Sequence, residues 1–181
     1  LYYARVFSVP WLGGEGTKEL THLLLWPDFF PSWPLFVIPE PSSFSVYDQV
    51  VPAVGVPALN TIVLLSSGVT VTLAHWALKK GNKSGLCRWL FATVLLGLFF
   101  VYLQIGEYLH AYRDLNLTLE SGIYGSTFYL LTGFHGFHVV MGALMLTVIW
   151  LRSLRGHFSA ENHFAFEAVA WYWHFVDVVW I

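Results

Sequence analysis

The sequence predicts an all-α integral membrane protein with four transmembrane helices, and three observations lead there. Of 181 residues, 56% are hydrophobic and only 11% are charged, against about 25% charged in a soluble domain. Four stretches with few or no charges are long enough, at 1.5 Å per residue, to cross a hydrocarbon core about 30 Å thick. The connections between them alternate in charge, as antiparallel spans require. A net charge of −2 argues against a nucleic-acid partner. The single cysteine, Cys87, excludes an intrachain disulfide and a cysteine-based metal cluster.

Residues 1–181 read as one membrane domain that is cut at both ends, since the chain starts at Leu1 and stops at Ile181 inside an apolar run. Residues 1–56 read as an interfacial connection. Pro27, Pro31, Pro34, Pro39, Pro41 and Pro52 forbid a continuous helix there. Trp26, Phe29, Phe30, Trp33 and Phe36 between them suit the headgroup layer. Helices are then expected at about residues 57–79, 86–112, 121–152 and 163–181.

The third of these carries no Lys, Arg, Asp or Glu between Gly122 and Leu151. It is studded with small residues: Gly122, Gly125, Ser126, Thr132, Gly133, Gly136 and Gly142. Small residues let helix backbones approach closely where lipid removes the hydrophobic drive for association. This helix is therefore expected to be packed on most sides, with Gly136 at a close approach.

Lys79, Lys80, Lys83 and Arg88 surround the first inter-helix loop, and Arg152 and Arg155 the third. The second loop sets Arg113 against Asp114 and Glu120. By the positive-inside rule, the first and third loops lie on the cytoplasmic or matrix side.

Ionisable groups inside spans are functional candidates by default. His135 and His138 share a helical face, which suits either a ligand pair or inter-helix hydrogen bonds. A haem pair needs histidines near opposite membrane faces, and a di-iron site needs Glu-x-x-His on two helices. Inter-helix hydrogen bonding is the better reading. Glu167, His174 and Asp177 fall near one stripe of the last helix, suiting a proton relay or, more simply, a docking network. Glu107 and His110 lie near an outer, acidic helix end. Arg152, Arg155 and His157 follow the third helix, where cations offset the helix dipole and can hold a lipid phosphate. No catalytic, cofactor-binding or metal-ligating residue is assigned. Enzyme subunit, proton-conducting channel or carrier, and assembly or lipid-binding subunit remain open on residues alone.

The stretch GIYGSTFYLLTGFHGFHVVMG at 122–142 resembles subunit III of cytochrome c oxidase. So do FAFEAVAWYWHFVDVVW at 164–180, PALNT at 57–61, SGVTVTLAH at 67–75 and LQIGEY at 103–108. The resemblance implies helices equivalent to the fourth to seventh of a seven-helix subunit, whose two- and five-helix bundles enclose phospholipid. It implies a non-redox subunit of an aa3-type oxidase that packs on subunit I, holds structural lipid and supports proton uptake. Haem a, haem a3 and copper then belong to partner subunits I and II, where electrons pass from cytochrome c to oxygen and protons are translocated. Family lipid contacts map onto Arg152, His157 and Phe158. Glu107, His135, His138, Glu167, His174 and Asp177 then read as structural intramembrane polar residues. The family's first three helices have no counterpart here, which suggests a longer subunit or a separate chain supplying them. A quinol oxidase subunit III is the neighbouring alternative. The mitochondrial inner membrane is favoured over a bacterial plasma membrane.

Overall fold

The computed structural model describes residues 3–14, 19–32, 51–52 and 54–181, all without a strand. A π-helical turn at Ala4–Ser8, α1 (Val9–Leu12) and α2 (Glu19–Leu25) open the chain. Pro27 and Pro31 follow, and no helix continues through them. The interfacial reading of Trp33, Pro34, Phe36, Pro39 and Pro41 lies outside the described residues. Four longer helices come next: α3 (Val56–Lys79), α4 (Lys83–Asp114), α5 (Gly122–Leu154) and α6 (Phe164–Trp180). The first three of these are long and apolar enough to cross a membrane. At 17 residues α6 is shorter.

Two of the connections close with the same chemistry. After α3, the amide of Gly81 (φ +68°) bonds the carbonyl of Leu78, and the amide of Asn82 bonds that of Ala77. After α5, Gly156 (φ +72°) bonds Ser153 and His157 bonds Arg152 in the same pattern. These are Schellman ends, which satisfy terminal carbonyls and need a residue that tolerates positive φ. Asn82 then caps α4 by accepting the Gly85 amide at 2.9 Å. Hydropathy places that helix start near residue 86, whereas the cap lets polar Lys83 and Ser84 join the helix.

Contacts divide the chain into two units, Leu1–Val51 with Tyr108–Gly133, and Pro52–Glu107 with Phe134–Ile181. In the first, Ala111, Leu115 and Leu117 form a small core against Tyr124, Phe128 and Tyr129. Tyr108 Oη meets Thr132 Oγ1 at 2.6 Å, and the Tyr129 hydroxyl donates to the Leu117 carbonyl at 2.7 Å.

The second unit is arranged inversely to a soluble domain. Asn60, Ser67, Thr93, Gln104, His135 and Asp177 are buried. Phe137, Met141, Leu144, Val148 and Phe175 point outward. Lipid accepts apolar surface and offers polar groups no partner, so polar side chains turn inward. Asn60 Nδ2 donates to Gln104 Oε1 at 3.0 Å, and Thr70 meets Thr93 at 2.8 Å, tying α3 to α4. Trp173 of α6 is fully buried. A Cβ on Gly97 of α4 or on Gly142 of α5 would stand 2.7 Å from its ring. Close approach is thus real, but it occurs at Gly142. Around Gly136, where the sequence reading expected it, an added Cβ meets nothing within 4 Å.

Gly142→Leu should therefore overpack the Trp173 slot at a cost of about 1–3 kcal/mol, lowering the thermal midpoint of the detergent-solubilised chain. Gly136→Leu should leave that midpoint nearly unchanged. Equal effects of the two substitutions would refute this placement of the contact.

Candidate functional site

Three of the polar residues singled out from sequence, Glu167, His174 and Asp177, lie on one seam, where α6 runs against α3. Read along it, Trp180 Nε1 donates to Thr61 Oγ1 at 3.0 Å, and Trp173 Nε1 donates to Ser67 Oγ at 2.9 Å. His174 Nε2 then meets Thr72 Oγ1 at 3.3 Å, and Glu167 Oε1 meets His75 Nε2 at 3.1 Å. The spacing follows from helix periodicity. Thr61, Ser67, Thr72 and His75 lie on neighbouring turns of α3, facing the stripe 167, 173, 174, 177 and 180 of α6.

Asp177 is buried, and one of its carboxylate oxygens lies 3.7 Å from His174 Nδ1. Its approach to α3 depends on Gly68, where a Cβ would stand 2.5 Å from Oδ2. Glu167 binds twice, because His163 Nε2 also lies 3.1 Å from Oε1. The donor atoms of His75, His163 and Glu167 fall within 4.8 Å of one another, a set able to hold a metal ion. Beside them a cavity of about 200 Å³ is lined by Val71, Thr72, His75, Glu167, Ala170, Trp171 and His174.

The two histidines of α5 behave differently from the inter-helix hydrogen bonding expected of them. His138 Nδ1 bonds the carbonyl of Phe134 in its own helix at 2.7 Å. The helix contact at this level is made by the Tyr172 hydroxyl, which donates to the His138 carbonyl at 3.3 Å. His135 is buried against rings, 4.7 Å from Trp180 and 5.7 Å from Phe100 between centroids. Its Nε2 has no hydrogen-bond partner among the described residues. At the other end of α4, Glu107 is half-buried, while His110 pairs at 2.5 Å with Asp114 one turn on, both exposed.

Beyond α5, the Arg152 guanidinium lies over the ring of Phe158, 5.1 Å from its centroid. Phe158 is buried, and Arg152 and His157 are exposed. The Schellman turn holds the His157 amide on the Arg152 carbonyl at 3.2 Å. Lys83 joins this corner, its Nζ 3.5 Å from where a Cβ on Gly156 would stand. The result is a cationic group with one cation held on an aromatic platform.

Sequence reasoning missed His75, His163, Ser67 and Thr72 as partners. His163 and Glu167 sit four apart at a helix start, a spacing that pairs side chains. Nothing local marks His75, which lies 92 residues from Glu167.

Comparison with known proteins bears on this geometry. The family model described as cytochrome c oxidase subunit III matches residues 40–181. Cytochrome c oxidase subunit 3 of Dugong dugon is 53% identical over 126 residues, covering 70% of this chain and 47% of that protein. The protein of the same name from Equus caballus is 52% identical over the same length and shares. The one from Spodoptera frugiperda is 52% identical over 126 residues, 70% of this chain and 83% of its own. The chain spans about half the length of the two mammalian relatives it matches. A family match over most of the chain, with half the aligned residues identical, shows that this chain belongs to the cytochrome c oxidase subunit III family.

Proposed function

We propose that the chain is a non-redox, structural subunit of an aa3-type cytochrome c oxidase in the mitochondrial inner membrane. The observation that supports this reading is the α3–α6 seam. There Glu167, His174 and their partners hold helices together by pairing with His75, His163 and Thr72. In this role the chain supports electron transfer from cytochrome c to oxygen and the coupled proton translocation by packing on subunit I. Haem a, haem a3 and copper are carried by partner subunits. All four long helices, α6 included, cross the membrane as the counterparts of the family's fourth to seventh. The ends bearing Lys79, Lys80, Arg152 and Arg155 face the matrix.

We further assign the corner of Arg152, His157 and Phe158, with Lys83 beside it, to the headgroup of an anionic phospholipid. Phe158 fixes the guanidinium by its ring, Arg152 and Lys83 supply positive charge at headgroup depth, and the exposed His157 imidazole stands beside them.

Two measurements check these assignments. An affinity tag on the chain should recover, in mild detergent, two larger subunits together with the reduced-minus-oxidised absorbance of haem a. Recovery of the chain alone, or with haem b only, would exclude the aa3-type oxidase reading in favour of a channel, a carrier or an oxidase of another haem type. In the second, Arg152→Ala with His157→Ala should leave that spectrum unchanged and weaken anionic lipid retention. Each cation contributes about 1 kcal/mol at a membrane surface, about fivefold in affinity. Unchanged bound phospholipid by mass spectrometry would rule out the lipid role.

A further inference from the structure

One end of the seam carries more than a docking contact. His75 stands near the C-terminal end of α3, His163 immediately precedes α6, and Glu167 lies in the first turn of α6. Both histidines direct Nε2 at the same oxygen, Glu167 Oε1, each from 3.1 Å. Zinc(II) takes two imidazole nitrogens and a carboxylate oxygen readily, at about 2.0–2.2 Å in tetrahedral geometry. Those bond lengths set donor-to-donor edges of about 3.3–3.6 Å. Two of the three edges here are therefore within a few tenths of an ångström of a zinc tetrahedron.

The tautomer of His163 supplies a second, independent argument. Its Nδ1 lies 3.2 Å from the carbonyl oxygen of Ser159, which can only accept, so Nδ1 carries the hydrogen. In the neutral ring Nε2 is then a bare lone pair, and it faces a carboxylate oxygen. Two acceptors at 3.1 Å repel unless a proton or a cation lies between them. A backbone carbonyl orienting the far side of an imidazole is also the usual support for a metal-ligating histidine.

The site is reachable. The side chains of His75, His163 and Glu167 are 24%, 15% and 37% exposed. The cavity of about 200 Å³ alongside leaves room for a water as fourth ligand.

We propose that His75, His163 and Glu167 bind one zinc(II) ion, which clamps the end of α3 to the start of α6. Each imidazole coordinates through Nε2 with its proton on Nδ1, Glu167 supplies Oε1, and water completes the tetrahedron. The site is independent of the oxidase reading, since zinc is counted per chain in whatever assembly carries it.

The tagged chain, purified with its assembly and stripped with chelator, is treated with diethylpyrocarbonate with and without buffered zinc chloride. Modified histidines are located by peptide mass spectrometry. Zinc should reduce modification of His75 and His163 at least tenfold and leave the exposed His110 unaffected. Glu167→Gln should abolish that protection and lower bound zinc by one ion per chain. Equal modification of His75 and His163 with and without zinc would overturn the proposal. So would protection and zinc content that persist undiminished in Glu167→Gln. If that variant fails to accumulate, protection in the unaltered chain decides alone.

Discussion

Trp173 is the constraint on which the second unit depends. Its ring occupies a slot made by the missing side chains of Gly97 and Gly142, and its indole N–H is bound by Ser67. One residue of α6 thereby meets α3, α4 and α5. The indole needs two glycines to fit and one hydroxyl to stay satisfied at zero exposure. Neither condition is local to α6. In lipid, helices gain nothing from hiding apolar surface, so close packing and satisfied polar groups must hold them.

Magnitudes rank these contributions. Taken at about 0.6 kcal/mol each, the average for helix–helix hydrogen bonds in membrane proteins, the four rungs of the α3–α6 seam together supply about 2 kcal/mol. A misfilled slot at one glycine costs about 1–3 kcal/mol. The rungs are therefore better understood as setting register than as supplying most of the cohesion. A shift of α6 by one residue would turn Trp173, Asp177 and Trp180 away from Ser67, Gly68 and Thr61 together. Polar groups left facing hydrocarbon cost more than their satisfied bonds contribute.

Much of this architecture could be read from the chain alone, because hydropathy and charge act residue by residue. The membrane character, the apolar helices and the family resemblance all followed from local stretches. Those stretches, SGVTVTLAH and FAFEAVAWYWHFVDVVW among them, are the ones that meet in the seam. Partner choice was not legible. Glu167, His174 and Asp177 showed as a stripe, yet no periodicity in α3 announces that His75, Thr72 and Gly68 face them. The small residues of α5 misled for a related reason. Gly136 and Gly142 look alike in sequence, and only the position of Trp173 distinguishes the glycine that is filled from the one that is open. His138 likewise spent its ring nitrogen on its own helix, an option that spacing alone cannot exclude.

The seam also has a consequence for biosynthesis. Its rungs join residues 92, 102, 106 and 119 positions apart. While the chain is being made, α3 enters the bilayer long before α6 exists. Ser67 and Thr72 can borrow carbonyls of their own helix in the interval, as Ser67 does from Leu64 and Thr72 from Gly68. Among the described residues His75 bonds no carbonyl of its own helix, and it sits near the helix end, where water can serve it until Glu167 arrives. The order of polar residues along α3 thus runs from self-satisfied hydroxyls in the interior to an imidazole at the edge. A nascent chain built this way can wait in the membrane for α6 without exposing an unpartnered imidazole to the bilayer centre.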